Sequence, residues 1–209
     1  MELLSRTLAF LYNFLRKLFG VIFWPYNTYF SLSSEKTPSI GIFLLFIVPF
    51  YSVIATIIRN GLFHTNFLFL LRIFVTQTFA IWTTFLFSFI GLLILAELLK
   101  KSHRELTIFN LWAFTYVPTY IWFGITALLY FFLPPPRTFS LLGESFSILF
   151  VAFSIFLLFW KLLLYYLTLR IGLKMTLQQI ILSSVLLFPL FGLFSLLSYK
   201  FNIFRVPFV

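Results

Sequence analysis

Long apolar stretches alternate with short polar gaps along most of this chain, and nearly all of its charges lie in the gaps. The clearest stretch, 39–58, carries no charge and as a helix reaches about 30 Å, the thickness of a bilayer's hydrocarbon core. Behind it, Arg59 to Asn66 is a turn-rich gap with Gly61 as a breaker. The apolar run that follows is too long for one crossing, and Arg72 interrupts its front. The second span is therefore placed at 73–99, with 62–72 interfacial. The third lies within 106–133, ended by the prolines at 134–136, which cannot continue a helix and mark a hairpin loop. The fourth occupies 145–169 and the fifth 177–197. The pattern predicts an all-α, polytopic transmembrane helical bundle: an N-terminal segment 1–38, a five-span membrane domain 39–197 and a short tail 198–209.

The first segment has a different period. At about 100° per residue, Ser5, Arg6, Asn13, Arg16, Lys17 and Gly20 share one arc, with Leu4, Leu8, Leu11, Leu15, Leu18 and Ile22 opposite. A basic face against a leucine face suits the headgroup region of anionic lipid, and Trp24-Pro25 closes the helix at a depth tryptophan favours. Arg6, Arg16, Lys17 and Trp24 are thus the expected membrane-surface contacts. The alternative is a helix packed on the protein's own spans. The interrupting charges also exclude a cleavable signal.

Charge then orients the bundle. Five spans put the termini on opposite sides. One side collects Arg6, Arg16, Lys17, Lys36, the loop Lys100, Lys101, Arg104 and the loop Arg170, Lys174; the other has Arg59, Arg72, Arg137, Lys200 and Arg205. Nine against five, by the positive-inside bias, predicts a cytoplasmic N-terminus and an outside C-terminus.

Composition removes most chemistry. At 62% hydrophobic and 10% charged, the chain leaves no room for a separate soluble domain. It has no cysteine and no aspartate, and its acids are Glu2, Glu35, Glu97, Glu105 and Glu144. Enzymes that hold magnesium through paired aspartates, or cleave with them, are excluded. No phosphate-binding Gly-rich loop, His-Glu-x-x-His or Gly-x-Ser-x-Gly occurs; Gly143-Glu144-Ser145 is a faint imitation of a nucleophile turn whose base would have to be His64. His64 and His103 fall on opposite sides and cannot share a metal. Lys100, Lys101 and Arg104 would repel a cation from Glu97, His103 and Glu105, and Glu97 is spaced to pair with Lys101. The expectation is a non-enzymatic protein with no cofactor, no metal and no nucleic-acid partner.

Lys161 stands inside the fourth span. Near a helix centre its ammonium would cost several kcal/mol without a partner or water, which makes it a functional candidate. The preferred placement is at the cytoplasmic boundary beside Trp160, with the amine snorkelling to the headgroups. Prolines mark only the outward spans, as Pro49, Pro118 and Pro189, which predicts three bent helices between two straight ones. Leu106 precedes Pro118 as Leu177 precedes Pro189, each behind a basic loop, so an internal repeat is open beside coincidence.

The opening helix ending in Trp24-Pro25, the polar segment to Pro38, the turn into Tyr116-Val-Pro-Thr119, and the Trp160 helix followed by Leu169-Arg-Ile-Gly-Leu-Lys-Met-Thr-Leu-Gln178 resemble the Yip-type (Ypt-interacting protein) domain family. The likeness runs from about Phe10 to Leu197. It implies a five-helix membrane domain with a cytoplasmic N-terminus, associated in eukaryotes with vesicle trafficking and lipidated small GTPases. The eukaryotic Asp-Leu-Tyr-Gly-Pro motif and a long tail before the first span are lacking, which speaks against GTPase binding and for a prokaryotic cell membrane. Two functions follow. A membrane organiser or scaffold, with anionic lipids, other membrane proteins or a second copy as partners, is preferred. The alternative is a small transporter or permease with its site near Lys161 and the proline-bearing helices, against which stands the scarcity of polar residues in the spans.

Overall fold

A computed structural model describes residues 2–35, 37–60, 66–101, 104–132 and 141–200. Lys36, Gly61, His64, His103, the prolines at 134–136, Arg137 and Arg205 lie outside them, as does the side chain of Arg59. All regular structure among the described residues is helical: α1 (Glu2–Phe23), α2 (Pro25–Ser33), α3 (Ser39–Asn60), α4 (Phe67–Leu98), α5 (Glu105–Phe114), α6 (Val117–Phe132), α7 (Leu141–Leu167) running into a π turn (Thr168–Gly172), and α8 (Leu177–Lys200). Among the described residues four helices are long and apolar enough to cross a membrane: Ser39–Ile58, Phe67–Leu98, Glu144–Gly172 and Leu177–Lys200. Their outward faces expose large apolar side chains such as Phe79, Ile94, Phe156, Phe159, Val185 and Leu193. A surface this apolar is that of an integral membrane protein, whose surroundings are hydrocarbon.

The helix boundaries correct the sequence reading in several places. Arg72 does not separate an interfacial segment from the second span: α4 runs unbroken from Phe67, started by Asn66, whose side chain accepts from the Leu68 N–H at 3.3 Å, and Arg72 sits exposed on its flank. Trp24-Pro25 closes α1 as expected, but a second helix follows at once. Proline lacks only an N–H that a first helical turn leaves unpaired, so Pro25 starts α2, nine residues read from sequence as part of a polar segment. The fourth helix begins at Leu141 and the fifth extends to Lys200.

Pro118 breaks its helix, whereas α3 and α8 run continuously through Pro49 and Pro189. Before Pro118 the turn tightens: Thr115 and Tyr116 donate backbone N–H to Trp112 and Ala113, three residues back rather than four. That leaves the Leu111 carbonyl without its usual helical donor. The Tyr29 hydroxyl of α2 takes it at 3.2 Å. Burial holds the Tyr29 phenol far above its ordinary pKa, so the hydroxyl stays protonated and remains a donor.

Lateral contacts order the bundle. Gly41 of α3 lies against Phe109 and Asn110 of α5, and ten residues on, the Tyr51 hydroxyl donates to the Phe123 carbonyl of α6 at 2.8 Å. The α5–α6 pair thus advances parallel to α3. Along α7 the partners run in reverse: Ser154 accepts from Trp122 Nε1 at 3.0 Å and Lys161 donates to Thr119 at 3.2 Å, so α7 is antiparallel to α6. At one end of the bundle α5 holds the end of α2 through Thr107 Oγ1 to Ser33 O and the segment behind it through Asn110 Nδ2 to Thr37 O. The turns after α4 and α7 gather at that end. Each places a lysine in the left-handed region, Lys100 (φ 49°) and Lys174 (φ 50°). After α4 the backbone closes with Lys101 N to Ala96 O and Lys100 N to Glu97 O, both 2.9 Å, a Schellman arrangement with lysine where glycine is usual.

Candidate functional site

Lys161 lies in the C-terminal third of the apolar helix α7, and its amine is turned toward α6. Nζ donates to Thr119 Oγ1 at 3.2 Å and lies 5.3 Å from the centre of the Tyr116 ring. The amine is thus turned inward between helices rather than outward along the bundle surface. Helical Cα–Cβ bonds tilt toward the helix N-terminus, and α7 enters the basic end by its C-terminus, so the stem of Lys161 starts out toward the interior. Arg170, nine residues on and about 13 Å farther along, reaches the end instead, where its guanidinium donates to Met175 O at 2.8 Å.

The amine lines a partly open cavity of about 480 Å³ between α4, the α5–α6 break, α7 and α8. Phe87, Trp112, Phe188, Phe191 and Phe194 supply its apolar walls, and Ser88 and Thr115 are among the hydroxyl-bearing residues between them. Those hydroxyls are already engaged. Ser88 accepts from Trp112 Nε1 at 2.8 Å and donates to a backbone carbonyl one turn back, and Thr115 donates to Trp112 O at 2.7 Å. Among the described residues no carboxylate meets Lys161: Glu35 pairs with Lys17, while Glu97, Glu105 and Glu144 are exposed. The site is an ammonium held between helices by a hydroxyl and an aromatic face, without a counter-charge from those residues.

The N-terminal candidates divide. Arg6, Arg16 and Trp24 are exposed, and so is the row Leu4, Leu8, Leu11, Leu15. Lys17 is not a surface contact; it is buried and forms an ion pair with Glu35. Burial first, and the neighbouring Arg16 second, push its ammonium below the ordinary lysine range. The cause is a third face of α1 that the two-faced reading missed: Phe10 and Phe14 pack edge-on against Phe43 of α3, Val21 is fully buried, and Lys17 lies in that same row. Between α1 and α2 a polar recess of about 610 Å³ is lined by Asn13, Arg16, Ser31 and Glu35 among others. Lys100, Arg104, Arg170 and Lys174 are exposed at the basic end, with Lys101 half-buried there.

Comparison with family models, with curated proteins and with solved structures finds no significant match for this chain. What the sequence left unread in the site is the cavity itself. The proline at 118 signalled a break, but its lining comes from four helices whose mutual rotation no single-helix period reveals.

Proposed function

We propose that this chain is a non-enzymatic, multi-pass membrane protein that binds a small anion inside its bundle at Lys161, in the manner of a carrier. The observation that carries the reading is the Lys161 ammonium, turned inward onto Thr119 and Tyr116 beside a broken helix and facing a cavity. Charges inside membrane bundles are costly and are kept where they bind something, and interrupted helices at mid-depth are how carriers build sites. The organiser reading expected Lys161 at the boundary, and an inward-turned amine favours the carrier alternative instead. We count α5–α6 as the remaining crossing, five in all, because it keeps pace with α3 on one side and α7 on the other. The basic end, with the N-terminal helices, is then cytoplasmic, as in the Yip-type arrangement that the chain resembles.

Binding of a panel of organic acids to the purified chain in zwitterionic nanodiscs tests this. At least one acid should bind with an affinity that falls tenfold or more in Lys161→Met and is kept in Lys161→Arg, the variants melting like the parent. If no acid depends on Lys161, the reading fails.

A second reading stands on its own observation. The exposed leucine row of α1, beside Arg16 and the polar recess, fits a helix lying in the headgroup layer of anionic lipid, so surface organisation remains the alternative.

A further inference from the structure

Resting on the reading of Lys161 as an anion site, we propose that its ligand is a single-chain carboxylate amphiphile, a fatty acid by chemical class, which enters sideways from the bilayer between α7 and α8.

Charge sets the head. One ammonium offers three protons; Thr119 takes one, and the remaining two match the two oxygens of a single carboxylate. The hydroxyls of Ser88, Thr115 and Thr84 have already committed their protons to backbone carbonyls, and Lys161 is the one cationic side chain among the described lining residues, which suits a singly charged carboxylate better than a phosphate. The walls set the tail. They are aromatic and aliphatic, and the volume of about 480 Å³ lies within the roughly 300–1,000 Å³ usual for small-molecule sites. At Gly192, which lines the cavity, a Cβ would meet nothing within 4 Å, so the free space extends to the backbone of α8.

The mouth is set by which lining residues are also exposed. Leu158 and Leu162 of α7 and Phe188 of α8 line the cavity and stand exposed on the outer surface of the bundle. Toward the basic end the same two helices are closed by Ser184 Oγ donating to the Tyr165 hydroxyl at 3.3 Å and by the Tyr165 and Phe188 rings 5.2 Å apart. The opening therefore faces lipid tails rather than the basic end. A tail leaving a bilayer for an apolar cavity gains little from burial, because lipid is as apolar as leucine. Discrimination then rests on the ammonium, and an uncharged analogue of equal length should compete poorly.

The experiment uses the full chain in phosphatidylcholine nanodiscs with a diazirine-bearing palmitic acid, cross-linked and mapped by mass spectrometry. Labels are expected on α7 and α8 around Leu158, Leu162 and Gly192, displaced by palmitic acid and not by hexadecanol, and reduced at least tenfold in both Lys161→Met and Gly192→Leu. Lys161→Arg should keep them, which guards against a folding failure of the other two. Equal displacement by hexadecanol, or labelling unchanged in Lys161→Met, overturns the proposal. Absent labelling together with Lys161-dependent binding of a water-soluble acid such as benzoate sinks the amphiphile alone and leaves the anion site standing; no Lys161 dependence with either probe sinks both.

Discussion

Lys17 of α1 and Glu35, just beyond the end of α2, form an ion pair that ties the two N-terminal helices together. Both side chains are largely withdrawn from the surface, at 8% and 26% exposed. Removing one partner leaves the other charge half-buried and unmet, while removing both does not. Lys17→Met should therefore lower stability by about 1–3 kcal/mol, and Lys17→Met with Glu35→Gln should recover most of it. Thermal unfolding in detergent checks this, and a single variant as stable as the parent would show the pair to be incidental.

Gly41 brings α3 against α5 with no side chain between them. A Cβ there would stand 2.9 Å from Asn110 Oδ1 and 3.0 Å from the Phe109 ring. Asn110 cannot easily yield, since its Nδ2 is bonded to Thr37 O. Gly41→Ala should cost about 1–3 kcal/mol by overpacking, read from the same unfolding curves. Unchanged stability would mean that α3 and α5 approach less closely than described.

The crossing number is directly testable, because the chain has no cysteine to remove. Ser34→Cys, after α2, and Tyr199→Cys, near the end of α8, are both at exposed positions. An impermeant thiol reagent applied to intact cells should reach Tyr199→Cys and spare Ser34→Cys. Labelling of both, or of neither until lysis, contradicts five crossings.

Helix existence was legible in the sequence because twenty apolar residues without a charge have few other uses in a chain this hydrophobic. Boundaries were less so. The break at Thr115 was signalled by Pro118, yet equally visible Pro49 and Pro189 left their helices continuous, since the surroundings decide whether freed backbone groups find partners. Tyr29, which meets the carbonyl freed at Leu111, comes from a segment 82 residues away that read as polar linker. Lys161 was visible as a charge within an apolar helix, but its inward contact with Thr119 was not, because hydropathy gives position along a helix and not the direction in which a side chain leaves it.

With Lys17 engaged internally, the surface charge of α1 is carried by Arg6 and Arg16. Replacing both by glutamate should weaken binding of a peptide covering residues 1–24 to anionic vesicles by roughly 1 kcal/mol per site in low salt, and less as salt rises. Equal binding to neutral vesicles by the parent peptide would assign the interaction to the leucine row alone.

The absence of native cysteine also permits the most direct test of the Lys161 site. Lys161→Cys should abolish binding of the carboxylate ligand. Treatment with aminoethyl methanethiosulfonate, which rebuilds a side chain ending in an ammonium, should restore binding, whereas the neutral methyl methanethiosulfonate should not. Undiminished binding in Lys161→Cys, or equal rescue by the neutral reagent, would contradict a site built around the ammonium.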